Sequence, residues 1–155
     1  MSEFHEGGCA CGAVRYRVSG APDKAAICHC RYCQLRTGSA FGISVYFPDE
    51  AVELVSGDLK EYSFQTESDR RFSQRFCTQC GTTVLWSLEV FPGLTGIAGG
   101  TFDPPTFWYD IRREVFARSR APFLAPNADI ASFDTSSSHN PVIVEQPSRL
   151  GGPGL

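Results

Sequence analysis

Seven cysteines in a chain of 155 residues fall into three tight groups: Cys9-Ala10-Cys11, Cys28-His29-Cys30-Arg31-Tyr32-Cys33 and Cys77-Thr78-Gln79-Cys80-Gly81. Thiols two or three residues apart chelate metal, because a turn of that length folds back until both sulfurs face one point. Gly81 suits the left-handed position that closes such a turn. A C-x-C arm and a C-x2-C arm together supply the four sulfurs of a closed tetrahedral site, the kind that holds structural zinc. The C-x-C-x2-C group supplies only three ligands and leaves one position open, and an open position on zinc is where chemistry takes place. Iron and iron–sulfur centres also use four cysteines. They normally draw two C-x2-C arms, and one arm here is C-x-C, which favours zinc.

Three outcomes are open for the middle group. Its thiolates bind zinc with water or a substrate thiol as fourth ligand, or bind zinc in a site closed by a histidine or carboxylate, or stand empty as a redox-active set. His29 lies between Cys28 and Cys30, so in an extended segment it points away from the face they share and is read as a hydrogen-bonding or solvent-facing residue. His5, in a mobile terminus, and His139, in a tail, are weak candidates. Arg31 and Arg36 flank the ligands and are candidates to hold the carboxylate of a peptide thiol. Disulfides are disfavoured: the cysteine count is odd, and Cys9 and Cys11 in a strand would sit about 6.6 Å apart.

The elements that must position these groups read as strands. Val14, Tyr16 and Val18 alternate with Arg15 and Arg17, the pattern of a half-buried strand closed by Ser19-Gly20. A short strand at Ala25 to Ile27 leads into the middle group, Arg31 to Arg36 makes a helical turn stopped at Thr37-Gly38, and Ala40 to Phe47 alternates as a strand ended by Pro48. Further strands are expected at 51–55, 59–64, 71–76, 82–88, 94–98 and 111–116, separated by Ser-Gly, Pro-Gly, Gly-Gly and Asp-Pro-Pro turns. Many short strands with little helix mean an all-β domain. Residues 1–6 are expected to be a flexible lead-in, 7–125 the domain, and 126–155 an extension whose Thr135-Ser136-Ser137-Ser138 run and Gly-rich end read as partly disordered. Ile130, Phe133, Val142, Ile143 and Val144 in that extension are still able to pack on the domain.

Composition bounds the function. Seventeen acidic and 14 basic residues give a net charge of −3 and a pI near 5.6, which argues against nucleic acid as a partner. No uncharged run reaches the ~18 residues of a membrane span, and the start has neither the basic nor the apolar region of a secretory signal. The expected setting is the cytoplasm.

The same residues carry a family likeness. Gly7-Gly8-Cys9-Ala10-Cys11-Gly12-Ala13-Val14-Arg15-Tyr16 resembles the opening motif of the glutathione-dependent formaldehyde-activating enzyme family. Cys28-His29-Cys30-Arg31-Tyr32-Cys33 with Thr37-Gly38-Ser39-Ala40-Phe41 is similar to its C-H-C-x2-C segment, and Cys77-Thr78-Gln79-Cys80-Gly81-Thr82 to its knuckle. Val115 to Phe123 is similar to its closing strand, with Phe123 where many members have Trp. The resemblance implies a β-tent fold, small and mainly antiparallel sheets clasped by zinc. It also implies two zinc ions per chain, a structural one at Cys9, Cys11, Cys77 and Cys80 and a catalytic one at Cys28, Cys30 and Cys33, a pairing that spacing alone leaves open. The implied activity is a carbon–sulfur lyase reaction in which a small thiol such as glutathione and an aldehyde such as formaldehyde form an S-(hydroxymethyl) adduct. A zinc-stabilised protein-binding module and a thiol redox or metal-buffering protein are the rival readings.

Overall fold

The computed structural model describes residues 3–136 and Pro141. His139, Val142, Ile143 and Val144 lie outside the described residues. Among the described residues eleven strands and one α-helix follow in the order β1 (Phe4–Gly8), β2 (Arg15–Ser19), β3 (Lys24–Cys28), α1 (Arg31–Thr37), β4 (Gly42–Pro48), β5 (Val52–Ser56), β6 (Leu59–Gln65), β7 (Arg71–Cys77), β8 (Thr83–Leu88), β9 (Leu94–Ala98), β10 (Arg113–Val115) and β11 (Ala131–Ser132). The architecture is all-β, of the β-tent type. It comprises an antiparallel three-stranded sheet, β1-β2-β5, and a mixed eight-stranded sheet, β11-β10-β3-β4-β9-β8-β7-β6. The second sheet is larger than the small sheets expected. Short turns chain β6 through β9 into one antiparallel run, and β9 then pairs with β4 from Ser44↔Ala98 to Pro48↔Leu94, joining that run to β3.

Phe4 to Glu6, part of the lead-in expected to be flexible, belong to strand β1. It pairs with β2 from Phe4↔Ser19 to Gly8↔Arg15, and Glu6 accepts hydrogen bonds from the Arg17 guanidinium at 2.8 and 2.9 Å. His5 stacks on Trp108 with ring centroids 3.4 Å apart. At the other end, residues beyond 125 contribute β11, which runs parallel to β10, itself parallel to β3. Among the described residues no helix is long and apolar enough to cross a membrane.

The eight-stranded sheet separates two apolar cores, and strand alternation decides which residue enters which. Ala25, Val45, Phe47, Leu85 and Ile97 face the three-stranded sheet and pack with Val14, Tyr16 and Val18. Their sequence neighbours Tyr46, Trp86 and Ala98 face the other way and pack with Phe72 and with Tyr32 of α1. Trp86 and Tyr46 both pair with Gly96, one from each side of β9. The buried indole crosses that glycine and donates from Nε1 to the Tyr46 hydroxyl at 3.2 Å. A Cβ at position 96 would stand inside van der Waals contact of the indole Nε1, Cε2 and Cδ1. Gly96→Ala therefore displaces Trp86. The expected cost is about 1–3 kcal/mol, measurable as a lower urea midpoint with unchanged m-value and a shifted tryptophan emission.

Candidate functional site

The four-sulfur cluster sits at the end of the core between the sheets. Cys9 and Cys11 lie in the turn after β1, Cys77 ends β7, and Cys80 lies in the turn before β8. The Sγ atoms of Cys9, Cys11, Cys77 and Cys80 all lie within 4.8 Å of one another, with Cys9–Cys11 at 3.5 Å and Cys11–Cys77 at 3.7 Å. Four sulfurs about 2.3 Å from a tetrahedral metal have edges of about 3.8 Å. Two matching turns build the cluster: Gly12 donates to the Cys9 carbonyl at 3.1 Å and Gly81 to the Cys77 carbonyl at 2.9 Å, both glycines at φ near +80°, where only glycine sits without strain. Backbone N–H groups of Val14 and Gln79 donate to the sulfurs of Cys9 and Cys77 at 3.2 and 3.3 Å, and the Ala10 N–H reaches the Thr82 hydroxyl at 3.1 Å, tying the arms together. Hydrogen bonds from the hydroxyl and backbone of Thr82 pull the Cys80 thiol down to about 5. The Cys11 thiol, despite a hydrogen bond from the Ala13 backbone, is pushed up to about 11 by the Cys9 sulfur. Four crowded sulfurs cannot all ionise alone, and a cation among them removes that conflict.

The three-sulfur cluster lies on the opposite face. Cys28 ends β3, Cys30 caps the N-terminus of α1, accepting at Sγ from the Cys33 N–H at 3.4 Å, and Cys33 stands in the first turn. All three are buried, and their sulfurs lie within 4.8 Å of one another. Among the described residues no histidine or carboxylate joins them. Hydrogen bonds from the Cys28 and Cys30 thiols, with the Arg36 guanidinium nearby, hold the Cys33 thiol well below its ordinary value. The Cys28 and Cys33 sulfurs and burial hold Cys30 well above. Three sulfurs converging in an apolar core suit a thiophilic metal.

These sulfurs open onto a cavity of about 130 Å³. Lys24, Ala26 and Cys28 project into it from alternate positions of β3, and Ser44 and Tyr46 from β4. Ala26 and Ser44 are cross-strand partners, so the floor is low. Tyr32, Phe72, Trp86, Phe91 and Phe116 wall it, and Lys24, Arg70, Arg71 and Arg113 border it with one acid, Glu67. None of the four-sulfur ligands lines it. Neither Arg31 nor Arg36 lines this cavity either. Arg36 runs behind it, its guanidinium 4.2 Å above the Trp86 ring. The basic border and the aromatic walls are residues that sequence reasoning missed; the Lys24-Ala26-Cys28 alternation was the available signal.

His29 is hydrogen-bonded rather than solvent-facing. Its buried Nε2 pairs with Glu114 Oε2 at 2.9 Å, and Glu114 Oε1 accepts from Arg120 Nη2. The His29 N–H donates to the Val115 carbonyl at 3.1 Å. This buried set pins the loop between Cys28 and Cys30 to β10.

Residues 4–119 match the sequence model of the family described as glutathione-dependent formaldehyde-activating enzyme. The fold is similar to that of a Rhodobacter sphaeroides protein of known crystal structure, with a TM-score of 0.52 and 23% identity. The match covers 68% of this chain and 96% of that one.

Burial raises the pKa of Glu114, yet the hydrogen bonds from His29, Arg120 and Ser132 outweigh it and leave the carboxyl below its ordinary value. A depressed native pKa means stabilisation that is complete above the unfolded value, about 4.3, and lost as pH falls through the native one. Glu114→Gln should therefore lower stability by about 1.5–3 kcal/mol at pH 7. Urea melts of both proteins across pH should show that difference shrinking in acid.

Proposed function

Since the chain belongs to the glutathione-dependent formaldehyde-activating enzyme family, we propose that it catalyses the reversible joining of a small thiol to an aldehyde, a carbon–sulfur lyase reaction of the S-(hydroxymethyl)glutathione type. The observation that carries this reading is the difference between the two clusters. Cys28, Cys30 and Cys33 face a cavity that a ligand can enter, and Cys9, Cys11, Cys77 and Cys80 do not. A three-ligand set beside a cavity is the arrangement of a catalytic metal, and a closed four-ligand set that of a structural one.

On this reading Cys9, Cys11, Cys77 and Cys80 hold a structural zinc, and Cys28, Cys30 and Cys33 hold a catalytic one. Zinc held by Cys28, Cys30 and Cys33 would favour the ionised form of the substrate thiol. In the addition the S–H bond breaks, a carbon–sulfur bond forms, the carbonyl π bond opens and the proton ends on the former carbonyl oxygen. The chain's own residues position and exclude. The aromatic walls keep water from the reacting carbon, and the bordering Lys24, Arg70, Arg71 and Arg113 receive the carboxylates of a peptide thiol. That role falls to them in place of Arg31 and Arg36. Arg36, beside Cys33, offsets the net negative charge that three thiolates leave around a divalent cation. A reducing cytoplasm, in which all seven thiols stay free, suits both sites.

Two zinc ions per chain are expected from metal analysis of protein purified under reducing conditions without chelator. The two sets should differ on mutation. Cys77→Ser opens a site whose metal is worth on the order of 10 kcal/mol, as much as a whole domain's net stability, so unfolding or aggregation should follow. Cys30→Ser should leave a folded chain with one zinc, and a well-folded Cys77→Ser protein holding both metals would reverse the assignment.

Exchange NMR on glutathione and formaldehyde tests the activity. Wild type should exceed the uncatalysed exchange rate, and Cys30→Ser with its structural zinc intact should not. No acceleration with glutathione, cysteine or another small thiol puts the binding-module reading ahead.

A further inference from the structure

A hydroxymethyl group adds one carbon and one hydroxyl to a sulfur, far less than the cavity holds. An apolar cavity of about 150 Å³ in another protein accepts benzene, and the volume here is about 130 Å³. Its walls are largely aromatic and aliphatic. Phe72, Trp86, Phe91, Phe116, Leu88 and Val115 face it, and an apolar group placed against them is favoured by roughly 25 cal/mol for each Å² it takes out of water. Two hydroxyls that line it act as acceptors: that of Tyr46 from the Trp86 indole, and that of Tyr32 from the Glu67 N–H at 3.2 Å. The floor under the sulfurs is low because Ala26 and Ser44 face each other across β3 and β4.

Part of this wall comes from outside the family-matched segment. Ser136 and Pro141 line the cavity, beyond residue 119 where that match ends. The Phe116 N–H donates to the Thr135 carbonyl at 2.9 Å and the Ala117 N–H to the Phe133 carbonyl at 3.0 Å. Phe116 is held there at φ 55° and ψ 40°, a left-handed conformation costly for an aromatic residue, of a kind that clusters at ligand sites.

We propose that the cavity receives an apolar substituent about the size of a phenyl ring on the substrate sulfur, so that an aromatic aldehyde is preferred to formaldehyde as the partner. The reaction class rests on the thiol–aldehyde reading above. The thiol loses its S–H proton, its sulfur bonds the aldehyde carbon, and the proton goes to the carbonyl oxygen to give a hemithioacetal, with no net oxidation or reduction. The ring then fills the space between Trp86, Phe91 and Phe116 while the sulfur stays at the three cysteines.

Two inert thioethers test the ligand class without turnover. S-benzylglutathione and S-methylglutathione are titrated into the zinc-loaded full chain, with binding read by calorimetry and tryptophan fluorescence. S-benzylglutathione should bind at least tenfold tighter. Ala26→Leu, which fills the floor, should bring the ratio close to one, and Val115→Phe is the second filling variant should the first not fold. Exchange rates with benzaldehyde and with formaldehyde are compared in parallel. A tenfold preference for the benzyl thioether with faster benzaldehyde exchange supports the proposal. The same binding preference without exchange of either aldehyde supports the ligand class and overturns the enzymatic reading. Equal binding of the two thioethers, or a preference that survives both filling variants, overturns the proposal, whatever the formaldehyde rate.

Discussion

Much of the site depends on one steric allowance: the Trp86 indole lies across β9 because residue 96 has no side chain. One edge of the indole holds the Tyr46 hydroxyl, and one face carries the Arg36 guanidinium at 4.2 Å. The same ring walls the cavity beside the three sulfurs. A cation over an indole face is stabilised by about 0.5–2 kcal/mol, the larger value applying when it is desolvated. That contact fixes where the positive charge stands relative to Cys33. The geometry of the aromatic pair and the electrostatics of the sulfur cluster are thus set by the same side chain.

Around this centre the fold keeps two kinds of polar burial apart. The four-sulfur cluster is held by turns whose backbone N–H groups point at sulfur, and two of its cysteines are exposed. The three-sulfur cluster is wholly buried, and its loop is fastened by His29, Glu114 and Arg120. Burying a carboxylate is costly unless every lone pair finds a donor. Glu114 finds them on both oxygens, so the loop between Cys28 and Cys30 is anchored by an interaction that cannot shift without leaving a charge unpaired.

Both sulfur sets were legible in the sequence, because cysteine spacing carries its own geometry, and so were the strands with clean alternation, such as β2 with Tyr16 and Val18 buried. β1 was not. Its Phe-His-Glu-Gly-Gly has no apolar period, and it becomes a strand through its partners, Arg17 on the next strand and Trp108 far along the chain. The two residues of β11 are ordered in the same way, by pairing with β10. The cavity was illegible for a different reason. Alternation says that Tyr46, Phe72 and Trp86 each face one side of a strand, but a void beside them arises only when small residues, Ala26 and Ser44, meet across two strands.

The two sulfur sets also differ in how much chain separates their ligands. Cys28, Cys30 and Cys33 span six consecutive residues, whereas Cys11 and Cys77 are 66 positions apart. Closing the longer loop costs about 2 kcal/mol more chain entropy, at roughly 0.6 kcal/mol for each doubling of loop length. The local triplet can therefore gather around a metal while the chain is still unfolded, and the distant quartet forms only once the sheets have paired. Metal that also binds the unfolded chain contributes less to folding stability than metal that does not. Were both sets to take a metal, the spacing would set the order of uptake: the site next to the cavity would load early at little benefit to stability, and the site away from it would load last and lock the finished fold.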